Sequence, residues 1–333
     1  FMKIQMEPDT SELSEVLIVG YGKQSKKDVT GAVTQLEAAN FKQGVAISPD
    51  ALLQGKVAGV RVVSTSGEPG AGVNVTIRGV GSIRSGSTPL FVVDGIPLSN
   101  EDVSPSGSNV GFGSSAAKNP LNFLNNSDIE SITVLKDASA AAIYGARGSN
   151  GVVLVTTKKG AKGDATLSFD TYLGVSNVAN KLDVLNADQY RKATTDPAFD
   201  HKGNTDWQDE IYRTAITQNY ALSFSKQTNS GNYYASLAQM DQEGIINNSN
   251  FKRLSGRINA AESFLDNKRL RVKMNLTASE TKDDGVPTSD DGGSNGQLIV
   301  HTLMANPTQP VFDANGKYTN FNMNAHYNPA YLL

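Results

Sequence analysis

The sequence has no cysteine, and none of its apolar runs reaches the roughly 18 residues that a membrane-crossing helix needs. Without cysteine, a disulfide framework, thiolate-bound zinc and thiol catalysis are excluded. The formal net charge of −3 over 333 residues argues against nucleic acid as the main partner, because phosphate binding leaves a basic surface. A membrane is not excluded, since the strands of a barrel alternate apolar and polar residues.

Residues arranged for catalysis or for holding a cofactor are also missing. The glycine runs 79–86 and 145–151 lack the Lys-Ser or Lys-Thr of a phosphate-binding loop. Residues 313–316 (DANG) lack the distal ligands of a calcium loop and predict a turn. The histidines have no partner at metal-ligand spacing, which predicts surface or loop positions for all three. They are His201, His301 and His326. We therefore expect no enzyme, no cofactor and no metal.

Residues 1–30 divide into the end of a strand, at 1–9, and a second strand followed by a linker, at 10–30. Residues 1–9 alternate apolar and polar side chains and lack the cationic start and apolar core of a signal peptide, so we interpret them as the end of an upstream domain. In residues 10–30, Val16 to Val19 predicts an apolar strand, and the glycines and polar residues after it predict a flexible linker. A strand without a partner is usually hidden. An exposed strand here calls for a binding partner.

Residues 31–164 have the short, punctuated elements of a compact domain with helices and strands. Asp94 and the glycine after it predict a tight turn between apolar runs. Pro49 predicts the start of a short helix, and Gly145 predicts the end of another. A glycine-containing hinge is predicted at 158–164. The predicted strands are 60–64, 73–79, 89–98, 128–137 and 151–159.

From residue 165 onward, long stretches alternate apolar and polar residues, most clearly in 269–276, where Arg, Arg, Lys and Asn alternate with Leu, Val, Met and Leu. Strands of this kind, joined by hairpins, are typical of an outer-membrane barrel, and a soluble β-sandwich with one wet face is the alternative. Large apolar residues on one face and several cations on the other favour the barrel. The five predicted strands cannot close one, so we expect the barrel to be incomplete in this chain.

Cationic residues of the compact region lie in or beside its predicted strands and turns. They are Arg61, Arg78, Arg84, Lys136 and Arg147. Structural ion pairing is their simplest role, because charges that leave bulk water need an opposite partner. If this region lies inside a barrel, we expect these cations to pair with acidic residues of the wall.

Three stretches closely resemble the plug domain of the SusC/RagA family of TonB-dependent outer-membrane transporters. They are PDALLQGKVAGVRVVSTSGEPGAGVNVTIRGVGSI, PLFVVDGIPL and DIESITVLKDASAAAIYGARGSNGVVLVTTKKG. The resemblance implies an α+β plug domain followed by antiparallel transmembrane β-barrel strands, incomplete here because the family barrel has roughly 22 strands. It implies the end of a carboxypeptidase-regulatory-like β-sandwich at 1–9, a TonB box and linker at 10–30, a plug at 31–164 and the first part of a barrel at 165–333.

The resemblance also implies TonB-dependent active import of large nutrients, foremost oligosaccharides, across the bacterial outer membrane, with the plug gating the lumen. The stretch SEVLIVGYG resembles the family's TonB box, which binds TonB by adding a strand and is energised through ExbB and ExbD. The expected TonB-binding residues are Glu15, Val16, Leu17, Ile18 and Val19. A SusD-like surface lipoprotein is expected as a second partner, and lipid is expected around the barrel.

Substrate contacts are expected on outward-facing plug loops at 81–88 and 99–119. The candidates are Ser82, Arg84, Ser85 and Phe112, the last by stacking on a sugar ring. Peptide import and TonB-dependent signal transduction are alternatives to oligosaccharide import. A further alternative is an adhesive or structural surface protein built on a soluble sandwich, which predicts a full-length protein that stays in solution without detergent.

Overall fold

The structure is a computed structural model that describes residues 16–19, 22–25, 33–41, 48–64, 66–79, 87–99, 120–137, 141–161, 163–265, 269–286, 298–321 and 327–333. The strands of these residues form two five-stranded sheets and two two-stranded ribbons. No helix within the described ranges is long and apolar enough to cross a membrane. We call residues 33–161 the plug region and the second five-stranded sheet the wall sheet.

The plug region is built on a mixed sheet with buried central strands. Its strands are β3 (Val33–Glu37), β6 (Leu90–Val93), β7 (Ile96–Pro97), β8 (Ile129–Leu135) and β9 (Val152–Thr157), in the order β3-β8-β9-β6-β7. Strands β6 and β9 are parallel, and the other pairs are antiparallel. Every residue of β6 and β9 is buried, as expected for continuous apolar strands covered on both faces.

A two-stranded ribbon and short 3-10 turns complete the plug region. The ribbon pairs β4 (Val60–Ser64) with β5 (Val73–Ile77), and its inner side chains join the buried core. Strand β5 ends before Arg78, because Arg78 and the glycine after it have positive φ angles of 57° and 90°. The helix predicted at Pro49 is a 3-10 turn over Asp50–Leu53. A further 3-10 turn covers Asn126–Asp128. Gly145 does not end the 3-10 segment Ala142–Gly148 but breaks it in the middle with φ 60°.

The predicted strand at Val16–Val19 exists, but it has a partner within the chain. Strand β1 (Val16–Val19) pairs antiparallel with β2 (Gly22–Ser25), with Val16 opposite Ser25 and Val19 opposite Gly22. Part of the predicted linker, Gly22–Ser25, is therefore a strand. The Gly-Lys-Gln-Ser sequence of β2 has little strand preference of its own, so the backbone pairing with β1 defines it as a strand.

The wall sheet is a meander of five long antiparallel strands in sequence order. The strands are β10 (Thr166–Ser176), β11 (Ala215–Gln227), β12 (Gly231–Glu243), β13 (Asn250–Phe264) and β14 (Leu270–Asp284). Apolar side chains of the outer face, such as Leu167 and Leu276, are more than half exposed. Inner side chains of β12 and β13 are buried against the plug region. The predicted alternation therefore appears as alternating burial in β11, β12 and β13, whereas β10 and β14 have no buried residue.

The connections at one end of the wall sheet pack together. Helix α1 (Ala187–Ala193) lies in the connection between β10 and β11. Helices α2 (Trp207–Ile211), α3 (Leu298–Met304) and α4 (Pro329–Leu332) are joined by an apolar cluster around Ile211, Val286 and Leu298. His301 is buried on α3, so the prediction of a surface or loop position is wrong for it. His201 is exposed as predicted, and His326 lies outside the described residues.

Candidate functional site

The candidate site is the contact between the plug region and the inner face of β13. Because side chains of a strand alternate between its faces, residues 251, 253, 255, 257, 259 and 261 all point inward, and all are buried. Two of them are arginines, whose guanidinium groups reach different parts of the plug region. We call Asp94, Thr157, Arg253, Arg257 and Asn259 the clamp.

The first half of the clamp is a buried ion pair. Arg257 Nη2 donates to Asp94 Oδ2, and Arg257 Nη1 donates to Thr277 Oγ1 on β14 at 2.9 Å. The two charged side chains are 4% and 9% exposed. Asp94 also accepts hydrogen bonds from the Thr157 backbone N, at 3.0 Å, and from Thr157 Oγ1, at 2.6 Å. Both carboxylate oxygens are therefore hydrogen-bonded, which a buried charge requires.

The turn after β6 presents Asp94 to the wall. Asp94 has φ 49° and Gly95 has φ 90°, so both residues of this tight turn are left-handed. The sequence predicted the turn but not its charged contact. Placing an aspartate in a conformation that most side chains avoid costs free energy, and the hydrogen bonds to Thr157 and Arg257 offset that cost.

The second half of the clamp joins a buried cation to backbone carbonyl groups. Arg253 Nη1 donates to the carbonyl oxygens of Asn122, at 3.0 Å, and Leu124, at 2.8 Å. Close by, the Tyr234 hydroxyl of β12 donates to Asp128 Oδ1 at 2.8 Å, and both side chains are buried. This part of the wall therefore holds the irregular segment before β8 through hydrogen bonds rather than through apolar packing.

The segment that joins the plug region to the wall sheet is held along its length. Asn259 Nδ2 donates to Thr157 Oγ1 at 3.1 Å and to the Lys158 carbonyl oxygen at 2.8 Å. The Ala161 backbone N donates to Ser225 Oγ at 2.8 Å. A Cβ on Gly160 would lie 2.6 Å from Tyr233 N. The prediction of a free hinge at 158–164 is therefore wrong for the part that touches the wall.

A close approach of backbone to ring completes the interface. Gly70 has φ +69°, and a Cβ there would lie 2.5 Å from Phe251 Cδ2 on β13. The Gly70 carbonyl oxygen accepts a hydrogen bond from Asn122 Nδ2 at 2.7 Å. Glycine is required at this position on two counts, conformation and space.

The polarity of the ion pair is the reverse of the one expected from the sequence. Plug cations were expected to pair with acids of the wall, whereas in the buried pair between the two parts the wall supplies the cation and the plug supplies the acid. Arg78 instead pairs with Asp137 of the plug region itself. Arg147 Nη2 donates to the Leu98 carbonyl oxygen at 2.6 Å. Arg84 lies outside the described residues.

The residues expected to bind partners are only partly described. Strand β1 supplies the backbone of Val16, Leu17, Ile18 and Val19, and as one of two strands in a ribbon it keeps one edge that β2 does not cover. Glu15 and the substrate candidates Ser82, Arg84, Ser85 and Phe112 lie outside the described residues. Their assigned roles stay predictions.

Charged pairs order the connection between β10 and β11. Lys181 Nζ donates to Asp209, and this hydrogen bond raises the pKa of Lys181 and lowers the pKa of Asp209. Hydrogen bonds from Lys202 and from Arg191 hold the pKa of Asp200 well below its usual range. In the described part of the chain, no group of three His, Cys, Asp or Glu side chains is placed to hold a metal ion.

Comparison with known proteins gives matches along the whole chain. Residues 25–152 match the family described as TonB-dependent Receptor Plug Domain. The chain is 36% identical over 324 residues to the TonB-dependent receptor SusC of Bacteroides thetaiotaomicron, covering 95% of this chain and 30% of that protein. It is 37% identical over 324 residues to TonB-dependent receptor P3 of Formosa agariphila, covering 96% of this chain and 30% of that protein. The chain thus spans less than a third of these relatives.

Solved structures match the arrangement of both sheets. The RagAB peptide importer in its open-open state matches with a TM-score of 0.73 and 28% identity, covering 95% of this chain and 38% of the matched chain. A second structure, of the RagAB peptide transporter, matches with a TM-score of 0.70 and 26% identity, covering 91% of this chain and 37% of that chain. Both matches include the plug region and the wall sheet together.

Proposed function

Because the chain belongs to the SusC/RagA family of TonB-dependent receptors, we propose that it is the gating and coupling part of an importer of large nutrients, foremost oligosaccharides. The protein lies in the outer membrane, as its relatives SusC and RagA do. The domain boundaries that we propose are those expected from the sequence, with the plug at 31–164 and the barrel from 165. The observation that carries the proposal is the clamp, which seats the plug region on the polar face of an amphipathic wall.

The gate follows from the two faces of the wall sheet. Its outer face presents exposed leucine, phenylalanine and methionine side chains, which suit lipid. Its inner face is polar and binds the plug region through hydrogen bonds and one buried ion pair. Polar contacts of this kind hold a specific position, and they can be exchanged for contacts with water when the plug moves. The plug therefore blocks the lumen at rest, and it is able to form the same contacts with the wall again after it has moved.

The energy for opening must come from another membrane, because the outer membrane has no ATP and no ion gradient of its own. We propose that TonB, driven by ExbB and ExbD, binds Glu15 to Val19. Strand β1 has one edge not covered by β2, and TonB adds to that edge or takes the place of β2. Pulling on β1 then acts on the plug through residues 20–30, while the clamp holds the plug region to the wall.

The cargo and the outer partner are proposed from the relatives. We propose that a SusD-like lipoprotein covers the outer mouth. The two-letter ending of the name RagAB, the matched importer, fits a complex of two components. Peptide import is the second candidate function, because the matched structure is that of a peptide importer. Oligosaccharide import is placed first because it is the cargo that the sequence resemblance implies.

The experiment that tests the proposal is uptake by cells that carry or lack TonB. Fluorescently labelled oligosaccharides and labelled peptides of similar mass are offered to cells that express the full-length protein and to cells in which its gene is deleted. We expect oligosaccharide uptake only when both the protein and TonB are present. Uptake that persists without TonB would contradict the coupling, and uptake of peptides alone would favour the second candidate.

A further inference from the structure

The turn between β12 and β13 touches the plug region as well as the wall. We call residues 244–249 the β12–β13 turn and residues 66–72 the plug turn. Gly244 and Pro69 are both buried, and a Cβ on Gly244 would lie 3.0 Å from the Cδ and Cγ atoms of Pro69. Close-packed groups transmit a displacement to their neighbours. A movement of the plug turn therefore changes the packing of the β12–β13 turn.

On its other side, the plug turn is connected to the clamp. Gly70, next to Pro69, approaches the ring of Phe251, the second residue of β13. The Gly70 carbonyl oxygen accepts a hydrogen bond from Asn122 Nδ2, and the Asn122 carbonyl oxygen accepts one from Arg253 Nη1. The plug turn is thus held in its place only while the plug region lies against the inner face of β13.

The β12–β13 turn is also held by the chain that leads into β11. Arg213 is the last cation of the connection between β10 and β11, residues 177–214, which we call the β10–β11 connection. Its Nε donates to the Gly244 carbonyl oxygen at 2.9 Å, and its Nη2 donates to the Ser249 carbonyl oxygen at 2.8 Å. The planar guanidinium group therefore spans both ends of the turn, which a single ammonium group does not reproduce.

Backbone pairing joins the same two segments. Tyr212 and Ile246 form an antiparallel bridge, and Asn247 N donates to the Ile211 carbonyl oxygen at 2.8 Å. Asn247 Nδ2 donates to the Glu210 carbonyl oxygen at 2.9 Å. Ile211 is fully buried in the apolar cluster of the connections. The end of the β10–β11 connection and the β12–β13 turn thus form one small antiparallel unit.

This unit lies at the end of the wall sheet that carries the long connections. Because the sheet is a meander, the connection after β10 and the turn after β12 leave it at the same end. The opposite end has the short connection 228–230 between β11 and β12. Barrels of this class have short turns in the periplasm and long loops outside. In that orientation the β10–β11 connection lies on the outside of the barrel.

We propose that the β12–β13 turn couples the β10–β11 connection to the position of the plug, with Arg213 as the residue that positions the turn. This inference rests on the proposed gating function, which supplies two states of the plug, seated and displaced. Displacement removes Pro69 from the β12–β13 turn and loosens the unit that the turn forms with residues 210–213. By thermodynamic linkage, loosening that unit in turn weakens the seat of the plug. Opening the gate therefore also loosens the outer end of the wall.

The first test measures amide hydrogen exchange in the full-length protein in detergent. Arg213→Gln removes both hydrogen bonds to the turn, and we expect exchange in the plug turn to become at least about fivefold faster. Arg191→Gln is the matched control, since Arg191 lies in the same connection but donates to Asp200 and to the Gly203 carbonyl oxygen. We expect it to leave exchange in the plug turn unchanged, because its contacts stay within the connection.

The second test runs in the opposite direction. Gly70→Ala places a methyl group against the Phe251 ring, and we expect exchange at residues 211–213 and 245–247 to become at least about fivefold faster, although Gly70 touches none of them. Gly67→Ala is the control, since a Cβ on Gly67 meets nothing within 4 Å. If Arg213→Gln does not fold into the membrane, the glycine pair decides alone.

The outcomes separate the coupling from the import function, because neither test involves TonB. Faster exchange in Arg213→Gln and in Gly70→Ala than in their controls supports the coupling even if uptake proves independent of TonB. Equal exchange in a variant and its control, in either direction, overturns the coupling even if TonB-dependent uptake is intact.

Discussion

Few side chains hold the plug region to the wall, and Asp94 is central among them. It accepts hydrogen bonds from Thr157 and pairs with Arg257, so a single carboxylate connects β9 of the plug region with β13 of the wall. Buried ion pairs add little net stability compared with apolar packing, but losing one partner leaves an unpaired charge and destabilises by about 3–5 kcal/mol. The clamp is therefore sensitive to small chemical changes.

Asp94→Asn removes the charge with little change of shape. We expect the plug to be seated more weakly, because the Arg257 guanidinium is left buried without its counter-charge. The measurement is entry of a bulky antibiotic into cells that lack TonB, where the variant is expected to admit more than the wild type. Glu130→Gln is the matched control, since Glu130 is an exposed carboxylate on β8 of the plug region. Equal antibiotic entry in the two variants would refute the role of Asp94.

Gly160 is a second sensitive residue because backbone atoms surround it. A methyl group there would lie 2.6 Å from Tyr233 N and closer still to the Lys226 carbonyl oxygen. We expect Gly160→Ala to displace the linking segment from the wall and to raise its cleavage by an added protease in isolated membranes. Gly67→Ala is the control, since a Cβ on Gly67 meets nothing within 4 Å. Protection of the linking segment in Gly160→Ala equal to that in the control would show that the contact is not required.

At the scale of elements, the ribbon of β1 and β2 connects the chain to its proposed energy source. Strand addition depends on backbone N–H donors, and proline has none. In the full-length protein we expect Val16→Pro/Ile18→Pro to abolish TonB binding and uptake, and Val16→Ala/Ile18→Ala, which keeps the donors, to retain most of both. Binding is measured with the purified periplasmic part of TonB. Normal uptake by the proline variant would exclude β1 as the TonB-binding strand.

The same ribbon contains one strand that the sequence predicted and one that it did not. Val16–Val19 is apolar and β-branched, so local preference was enough to predict β1. Strand β2 was missed because its four residues are polar or glycine, and only the pairing with β1 makes them a strand. The five wall strands were predictable because their alternation extends over 11 to 15 residues in each.

At the scale of the whole molecule, the comparisons confirm the predicted combination of an α+β plug and antiparallel barrel strands. The clamp itself was not predictable from local pattern. Asp94 and Arg257 are 163 positions apart, and periodicity along a strand says which side a residue faces but not what it meets there. The alternating arginines of β13 and the Asp-Gly turn were the only signals in the sequence. They predicted a cation on the polar face of the strand and a tight turn, and the fold brought the two together.

The central claim is that the plug region sits on the inner face of β13, and thiol cross-linking tests it most directly. The chain has no cysteine, so introduced pairs are the only reactive thiols in this part of the protein. Thr157 and Asn259 touch at 3.1 Å, whereas Ile258 faces the opposite side of the same strand. With a short bifunctional thiol reagent and the full-length protein in native membranes, we predict that Thr157→Cys/Asn259→Cys is cross-linked and that Thr157→Cys/Ile258→Cys is not. Cross-linking of both pairs to the same extent, or of neither, would contradict the account.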